Sequence, residues 1–269
     1  MARLPLSVEP VPLDLAWNDP AANLKAIEAE VRARLEASPE TPPESRLFLF
    51  PELTLTGFVT KEPASFSVDD GPAGALRALA RSLGVGIAAG FPERNPADPS
   101  RPFNALAVID PAGKVAGLYR KTHLFTLGAN PESAAYTAGA RGTVFDYRGW
   151  KVGLAVCFDV RFSALFHAYA KAGVDLLLIS SCWVGGPHKT EQYRTLCAAH
   201  AILTQAYAAA VNRSGRDPAW EYDGSAYIFA PNGESLSMES LSPLDPARLE
   251  AARALKVRVA DRPDYPVVP

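Results

Sequence analysis

The sequence predicts an α/β fold in which helices cover mixed β-sheets. Segments with the spacing of amphipathic helices alternate with short, solidly apolar segments of strand length, a pattern typical of sheets buried on both faces. Hairpin signals between some of the strands argue against a purely parallel sheet. The chain of 269 residues is 48% hydrophobic, and no linker-like segment divides it. We therefore expect one domain, residues 1–269, with a sizeable core.

In the first half of the chain, predicted helices and strands follow in regular order. The first helix spans residues 20–37, PAANLKAIEAEVRARLEA, where apolar residues recur at spacings of three and four. A proline-rich loop separates this helix from a short apolar strand, RLFLF. The remaining elements of this half are a helix near 73–83, a strand at 85–91 and a hairpin of NALAVID and KVAGLYR that turns at 111–113.

The second half repeats this alternation of strands and helices. Its predicted elements are strands near 143–147 and 151–156, a helix at 161–172, a strand at 174–180, a helix at 190–206, the strands YAAAVN and SAYIFA, and a short helix at 245–254. Pro231-Asn232-Gly233 turns the chain after the last strand. We expect residues 255–269, which include DRPDY, to form an extended arm.

The charge and cysteine content limit the possible partners and compartment. Lysine plus arginine total 27 and aspartate plus glutamate 29, so the formal net charge is −2, and we expect no nucleic-acid or acidic-membrane partner. No stretch approaches the roughly 20 apolar residues of a membrane span. The N-terminal segment MARLPLSVEPVPLDLAW lacks the long apolar region of a signal peptide. Three cysteines without metal-type spacing indicate reduced thiols, no metal or cofactor, and a cytoplasmic protein.

Chemically active residues follow three of the predicted strands. One strand leads directly to Glu52, another to Lys121 and a third to Cys157. Because ligand sites in layered α/β folds lie outside the carboxyl ends of strands, we expect these side chains to share one pocket. Taken alone, an apolar-flanked cysteine is more often structural, and the short motifs FPE and RKTH mean little. The prediction depends on their joint occurrence.

A thiol, a carboxylate and an ammonium together can attack a carbonyl or nitrile carbon without a metal. A thiol with a pKa of about 8.5 is only a few per cent thiolate at neutral pH and needs a base or a positive neighbour. Glu52 can accept the thiol proton and later activate water, while Lys121 lowers the thiol pKa and holds the developing oxyanion. If a helix begins soon after Cys157, its backbone N–H groups also favour anionic sulfur and oxygen.

Three ordered motifs resemble those of the nitrilase superfamily, the carbon–nitrogen hydrolases. FPELTLTGF at 50–58 is similar to the glutamate motif of that family, YRKTHLF at 119–125 to its lysine motif and GLAVCFDVRF at 153–162 to its cysteine motif. The resemblance covers nearly the whole chain. It implies a four-layer αββα sandwich and assembly into a homodimer or higher homo-oligomer.

The resemblance also implies roles for the three residues. Cys157 is expected to be the nucleophile, Glu52 the general base and Lys121 the group that stabilises the tetrahedral intermediate. PESAAYTAG at 131–139 resembles the segment with the family's second glutamate, so Glu132 is the candidate for positioning substrate and tuning Lys121. A solvated loop acid is the alternative for Glu132.

Four further residues are expected to support the site. Phe158 is expected to offer its backbone N–H to the oxyanion. Trp183 falls where the family often places a pocket-wall residue, although a core tryptophan fits the position almost as well. His123 is expected to support the glutamate and the lysine by hydrogen bonding. Phe58, at the end of the glutamate motif, is also expected to bind substrate or support the site.

The residues after the cysteine indicate the branch of the superfamily. True nitrilases usually continue with Trp-Glu, whereas CFDVRF is similar to the Cys-Tyr-Asp-x-Arg-Phe of amidase branches, including ω-amidase-like enzymes that act on 2-oxo-acid amides. We expect hydrolysis of a small linear amide through a Cys157 thioester, with an ω-amide of a dicarboxylic or 2-oxo acid as a candidate substrate. An N-carbamoyl compound is the nearest alternative, then a non-catalytic binding relative, then a cysteine protease with a histidine base.

Two departures from the family pattern affect the prediction of substrate and assembly. Ser163 stands where a proline normally follows Arg-Phe. The helix after residue 190 usually carries Arg-Ala-Arg-Ala-Ile-Glu-Asn, but here Ala198 and His200 replace the arginines, and Leu203 and Thr204 replace the Glu-Asn pair. We expect this helix to face a subunit partner or the back of the nucleophile.

Overall fold

A computed structural model of the chain describes residues 2–126, 131–238, 242–255 and 257. The helices within these ranges are α1 Pro20–Ala37, α2 Gly71–Leu83, α3 Glu132–Ala135, α4 Ser163–Ala172, α5 Lys189–Thr204 and α6 Pro246–Arg253. The strands are β1 Ser7–Pro10, β2 Arg46–Leu49, β3 Gly86–Glu93, β4 Phe103–Ile109, β5 Val115–Arg120, β6 Val144–Tyr147, β7 Trp150–Val156, β8 Leu176–Ser181, β9 Tyr207–Asn212, β10 Ser214–Arg216, β11 Glu221–Asp223 and β12 Ala226–Phe229.

Ten of these strands form two mixed sheets of five strands each. The first has the order β1-β2-β3-β4-β5, with β1, β2 and β3 parallel and the other pairs antiparallel. The second has the order β12-β9-β8-β7-β6, with β7, β8 and β9 parallel and an antiparallel strand at each edge. The expectation of mixed sheets is confirmed, and so is the hairpin between β4 and β5.

Alternating side chains bury both faces of the first sheet. In β2, Leu47 and Leu49 belong to a core shared with the second sheet, whereas Phe48 packs with Ile27 and Val31 of α1. Because successive side chains of a strand point to opposite faces, one run of apolar residues fills two cores. Helices α4 and α5 cover the outer face of the second sheet, so the molecule is a four-layer αββα sandwich, as predicted.

Some elements differ from the sequence-based prediction. Strand β1 lies in a proline-containing segment, where the local pattern gave no strand signal, and it is buried by pairing with β2. The short hairpin of β10 and β11 and the one-turn helix α3 are too brief to show a periodic pattern. The helix expected at 161–172 begins with a separate 3₁₀ turn over Cys157–Arg161, after which α4 starts.

The predicted C-terminal arm lies almost entirely outside the described residues, which end at 257. Within the described part of the chain, no helix has the length and apolar character needed to cross a bilayer.

Candidate active site

Cys157 lies at an abrupt turn at the end of strand β7. It adopts φ +47°, in the left-handed region that residues other than glycine rarely occupy. The 3₁₀ turn that follows carries the chain away from the sheet and into α4. A conformation of this kind costs roughly 1–3 kcal/mol and persists only where the surrounding structure enforces it. The turn therefore presents the thiol at the carboxyl end of β7.

The buried carboxylate of Asp159 holds this turn in place. It accepts the backbone N–H of Val156 at 2.9 Å and the hydroxyl of Tyr119 at 2.8 Å. It also accepts the backbone N–H of His123 at 3.1 Å. Asp159 thus connects the turn of the candidate nucleophile to the segment around Lys121.

Lys121 lies between two carboxylates at the centre of the site. Its Nζ is 2.7 Å from Glu52 Oε1 and 2.8 Å from Glu132 Oε2, and all three side chains are buried. Glu52 and Lys121 follow β2 and β5 of the first sheet, whereas Cys157 follows β7 of the second. Two of the three N–H bonds of Lys121 point at acids, which leaves a third donor for the cavity that Lys121 and Cys157 both line.

Further donors complete the hydrogen bonding of the two acids, and the sequence motifs indicate none of them. The side-chain amide of Asn104 donates from Nδ2 to Oε1 of both Glu52 and Glu132, at 2.7 Å each. The backbone N–H of Cys182 donates to Glu52 Oε2 at 2.8 Å, and that of Phe125 donates to Glu132 Oε2 at 2.7 Å. A lone polar residue in the apolar strand β4 was the available signal for Asn104, whereas backbone donors leave no signal in sequence.

Burial and neighbouring charges shift the pKa values of this cluster. Burial by itself lowers the pKa of Lys121, but the carboxylates of Glu132 and Glu52 outweigh it and hold that pKa well above its ordinary value. Burial raises the pKa of Glu132 despite the adjacent ammonium. Burial, followed by the charge of Glu52, raises the pKa of the Cys157 thiol well above its usual range, although Lys121 opposes that shift. Lys121 thus lowers the thiol pKa as expected, but burial and the charge of Glu52 outweigh its effect.

The raised thiol pKa has a measurable consequence for alkylation. With iodoacetamide, we expect the labelling rate of Cys157 to rise about tenfold per pH unit from about pH 7 to about pH 9, because the thiolate is the reactive form and remains a minor species there. Peptide mapping by mass spectrometry would measure Cys157, Cys182 and Cys197 separately. A rate at Cys157 that levels off below about pH 8 would contradict the shift, since it would mean a thiolate stabilised by Lys121.

The site opens into a cavity of about 360 Å³. Besides Cys157 and Lys121, its lining consists mainly of aromatic and cationic side chains, namely Phe58, Phe125, Phe158, Arg161, Cys182, Trp183, Val184 and Lys189. Three of the predicted residues, Phe58, Phe158 and Trp183, therefore lie at the cavity. Glu52 and Glu132 contact Lys121 but do not line the cavity themselves.

Two cations flank the ring of Trp183 in the cavity wall. The guanidinium of Arg161 lies 4.6 Å from the ring centroid, and Nζ of Lys189 lies 5.8 Å from it. Arg161 also donates to Gln192 Oε1 at 2.9 Å. Neither cation forms an ion pair with an acid in the ranges that the structure describes. Sequence motifs do not reveal this pair, because Lys189 reaches the cavity only through the fold.

The structure places His123 away from the Glu52–Lys121 pair that it was expected to support. Its Nδ1 lies 2.8 Å from Asp159 Oδ1, and its ring stacks on Phe162 with centroids 3.8 Å apart. The carboxylates around Lys121 are already satisfied by other donors, whereas Asp159 offers a buried acceptor beside the ring. His123 therefore contacts the turn of the candidate nucleophile.

Helix α5, which departs from the family pattern, packs behind the same turn. Nε2 of His200 lies 2.8 Å from the carbonyl oxygen of Val160, and the His200 ring stacks on Phe166 at 3.5 Å. The helix was expected to face either a subunit partner or the back of the nucleophile, and these contacts agree with the second expectation. The side chains of Ile202 and Leu203 on α5 are exposed.

The geometry brings a thiol and an ammonium to one small cavity, with two carboxylates directly behind the ammonium. This set can form and hydrolyse an acyl-thioester. Over the described ranges, no group of three or more histidine, cysteine, aspartate and glutamate side chains is arranged to hold a metal ion.

Comparison with known proteins gives consistent matches along the chain. Residues 10–245 match the model of the carbon-nitrogen hydrolase family. The chain is also similar to the 2-oxoglutaramate amidase of Bacillus subtilis (strain 168), with 27% identity over 227 residues that cover 83% of this chain and 82% of the relative.

Two solved structures are similar over nearly the full chain. A carbon-nitrogen hydrolase superfamily protein of Xanthomonas campestris has a TM-score of 0.83 at 24% identity and covers 99% of this chain and 100% of its own, a likeness of fold. An amidase mutant from Nesterenkonia sp. AN1 has a TM-score of 0.76 at 25% identity and covers 95% of this chain and 96% of its own. That mutant carries the acetamide moiety of fluoroacetamide covalently at its active-site cysteine.

Proposed function

Since this chain belongs to the carbon-nitrogen hydrolase family and is an amidase, we propose that it hydrolyses small linear amides through a thioester at Cys157. The observation that carries the proposal is the placement of Lys121 between Glu52 and Glu132, in the cavity that Cys157 also lines. The amidase with a covalent adduct at its active-site cysteine supports Cys157 as the nucleophile.

The first half of the reaction forms the acyl-enzyme. Sγ of Cys157 attacks the amide carbonyl carbon while its proton passes to Glu52, because a protonated thiol is a weak nucleophile. The negative charge that develops on the carbonyl oxygen is stabilised by the third N–H of Lys121 and by the backbone N–H of Phe158. When the C–N bond breaks, the protonated Glu52 returns the proton to the leaving nitrogen, which departs as ammonia or an amine.

The second half releases the acid. A water molecule attacks the thioester carbonyl and transfers a proton to Glu52, and the tetrahedral intermediate expels the sulfur of Cys157. The proton on Glu52 then returns to the thiol. One amide and one water thus become one carboxylic acid and one ammonia or amine, and Glu132 keeps Lys121 charged throughout by pairing with it.

The cavity favours a substrate that carries a carboxylate. Its volume of about 360 Å³ suits a small molecule. Glu52 and Glu132 already pair with Lys121, whereas Arg161 and Lys189 remain available to an anion at the cavity wall. An ω-amide of a dicarboxylic or 2-oxo acid places its amide at Cys157 and its carboxylate near these cations. The similarity to a 2-oxoglutaramate amidase supports this assignment.

A substrate panel with ammonia as the readout tests the proposal. Succinamate, butyramide, an N-carbamoyl amino acid and a nitrile present related groups to the same cavity. We expect the fastest ammonia release from succinamate, together with acyl hydroxamate when hydroxylamine competes with water for the thioester. Faster turnover of the N-carbamoyl compound would favour that alternative substrate, and absence of hydroxamate in the presence of turnover would contradict the thioester.

The role of Arg161 can be separated from general damage to the site. We expect Arg161→Gln to raise KM for succinamate about 10- to 100-fold, the range for losing a hydrogen bond to a charged group. Butyramide is nearly the same size without the carboxylate, and its KM should change less than about threefold if only the charge contact is lost. Arg32→Gln, an exposed arginine on α1, is the matched control. An equal rise of KM for both amides would overturn the carboxylate contact.

A further inference from the structure

Asn104 lies outside the three sequence motifs but hydrogen-bonds to both acids of the charged cluster, which consists of Glu52, Lys121 and Glu132. It lies in β4, and its side chain is 1% exposed. Its Nδ2 lies 2.7 Å from Glu52 Oε1 and 2.7 Å from Glu132 Oε1, so each hydrogen of the amide is directed to a different acid. Its carbonyl oxygen in the backbone accepts the N–H of Lys121 at 2.8 Å. One residue therefore hydrogen-bonds to both glutamate side chains and to the backbone of Lys121.

The placement of Asn104 is unfavourable for packing alone. The rest of β4, FNALAVI, is apolar. Moreover, Asn104 Oδ1 is buried and has no hydrogen-bond partner among the residues that the structure describes. A buried acceptor without a partner destabilises the fold, so an aliphatic residue would serve the core better. The Asn104 side chain is therefore placed to donate its two amide hydrogens to the two acids.

A neutral donor has a specific effect at this position. Lys121 contributes one positive charge and the two glutamates two negative charges, so the cluster carries a net charge of −1 when both acids are ionised. A cationic side chain in place of Asn104 would cancel that charge and make Glu52 a poorer proton acceptor. An amide satisfies both carboxylates, has no proton to lose near neutral pH, and leaves the excess negative charge that favours proton uptake.

We propose that Asn104 is a positioning residue for the amidase reaction, holding Glu52 and Glu132 on Lys121 and keeping Glu52 able to accept the Cys157 proton. This inference rests on the proposed function. Asn104 does not line the cavity and acts through the two acids. The buried titratable groups that interact electrostatically with these two acids are Lys121, Tyr136, Cys157 and Cys182.

Two substitutions separate positioning from structural support. We expect Asn104→Ala to lower kcat about 10- to 100-fold with KM within about threefold, the scale of losing hydrogen bonds to charged groups. Asn104→Asp keeps the shape but places a third acid beside the other two, and we expect a larger loss of kcat, about 100-fold or more. In both variants the acid limb of the pH–kcat/KM profile should move to higher pH, because a carboxylate that loses a donor or gains a like charge binds its proton more tightly.

A matched control is available elsewhere in the fold. Asn23 is equally buried and donates from Nδ2 to the carbonyl oxygens of Ala16 and Leu55, away from the cavity. Asn23→Ala should lower Tm but leave the pH limb and the kcat per folded enzyme unchanged. If Asn104→Ala behaves like Asn23→Ala, or keeps wild-type kcat and pH limb, the positioning role is wrong.

A second measurement does not depend on the substrate. The pH profile of Cys157 alkylation by iodoacetamide depends on the charges of Glu52 and Glu132, which act on the thiol pKa, and we expect it to change in Asn104→Ala and Asn104→Asp but not in Asn23→Ala. If wild-type protein hydrolyses no amide, the proposed function fails while this profile still tests Asn104. If Asn104→Ala does not fold, Asn104→Asp decides the outcome, and an unchanged alkylation profile in the folded variant overturns the proposal.

Discussion

Replacement of Cys157 by alanine is expected to abolish ammonia release from succinamate. Without the thiol there is no atom to form the acyl-enzyme, and loss of a catalytic nucleophile commonly lowers kcat by about 10⁴-fold or more. Binding should change little, because the cations and the aromatic wall of the cavity remain. The measurement is steady-state ammonia release, with substrate binding followed separately by calorimetry.

Two control variants test whether the effect is specific to the Cys157 thiol. Cys197→Ala removes an equally buried thiol from α5, outside the cavity, and should keep wild-type kcat within about threefold after correction for the folded fraction. Cys157→Ser retains an atom at the same position, but its hydroxyl gives up a proton far less readily than a thiol, so activity should stay low. Equal ammonia release from wild type and Cys157→Ala would exclude the proposed nucleophile.

Replacement of Glu52 by glutamine is expected to have the second-largest effect. The amide keeps the size of the side chain but cannot accept the thiol proton or activate water, and loss of a general base typically lowers the rate about 10²- to 10⁴-fold. The fall should appear in kcat and kcat/KM together, since the base acts in the transition state and not in substrate binding. Alkylation of Cys157 near neutral pH should become faster in this variant, because the negative charge that raises the thiol pKa is removed.

A buried glutamate outside the site serves as the matched control. Glu9, in the edge strand β1 of the first sheet, pairs with Arg46 of β2 at 2.6 Å. Glu9→Gln breaks a buried ion pair and should lower Tm, but kcat per folded enzyme should remain close to that of the wild type. A Glu52→Gln variant that keeps kcat, or loses no more than Glu9→Gln, would show that another group accepts the proton.

Much of the fold could be predicted because the signals are local. The first helix was placed at 20–37 and α1 occupies the same residues, since a stripe of apolar side chains has a period that only a helix satisfies. The strand RLFLF and the hairpin turn at 111–113 were likewise evident. Strand β1 was not, because its proline-containing residues become a strand only when β2 supplies a hydrogen-bonding partner.

The site could be predicted where its residues come directly after predicted strands. Glu52, Lys121 and Cys157 each follow an apolar run, and their motifs occur in order along the chain. Asn104 and Lys189 could not be assigned in this way. Asn104 meets the acids only because the fold brings β4 together with the segment after β2 and with the start of α3, and Lys189 reaches the cavity only because α5 begins near Trp183.

The amino-acid sequence by itself therefore determines which side chains follow the strands and are available for catalysis, because short-range patterns set where strands end and helices begin. The protonation of those side chains depends on the assembled molecule. A thiol with a raised pKa and an ammonium shared by two acids arise only when segments far apart in sequence exclude water from the same small volume. Burial and Coulomb interactions depend on distance in space, and distance along the chain does not reveal them.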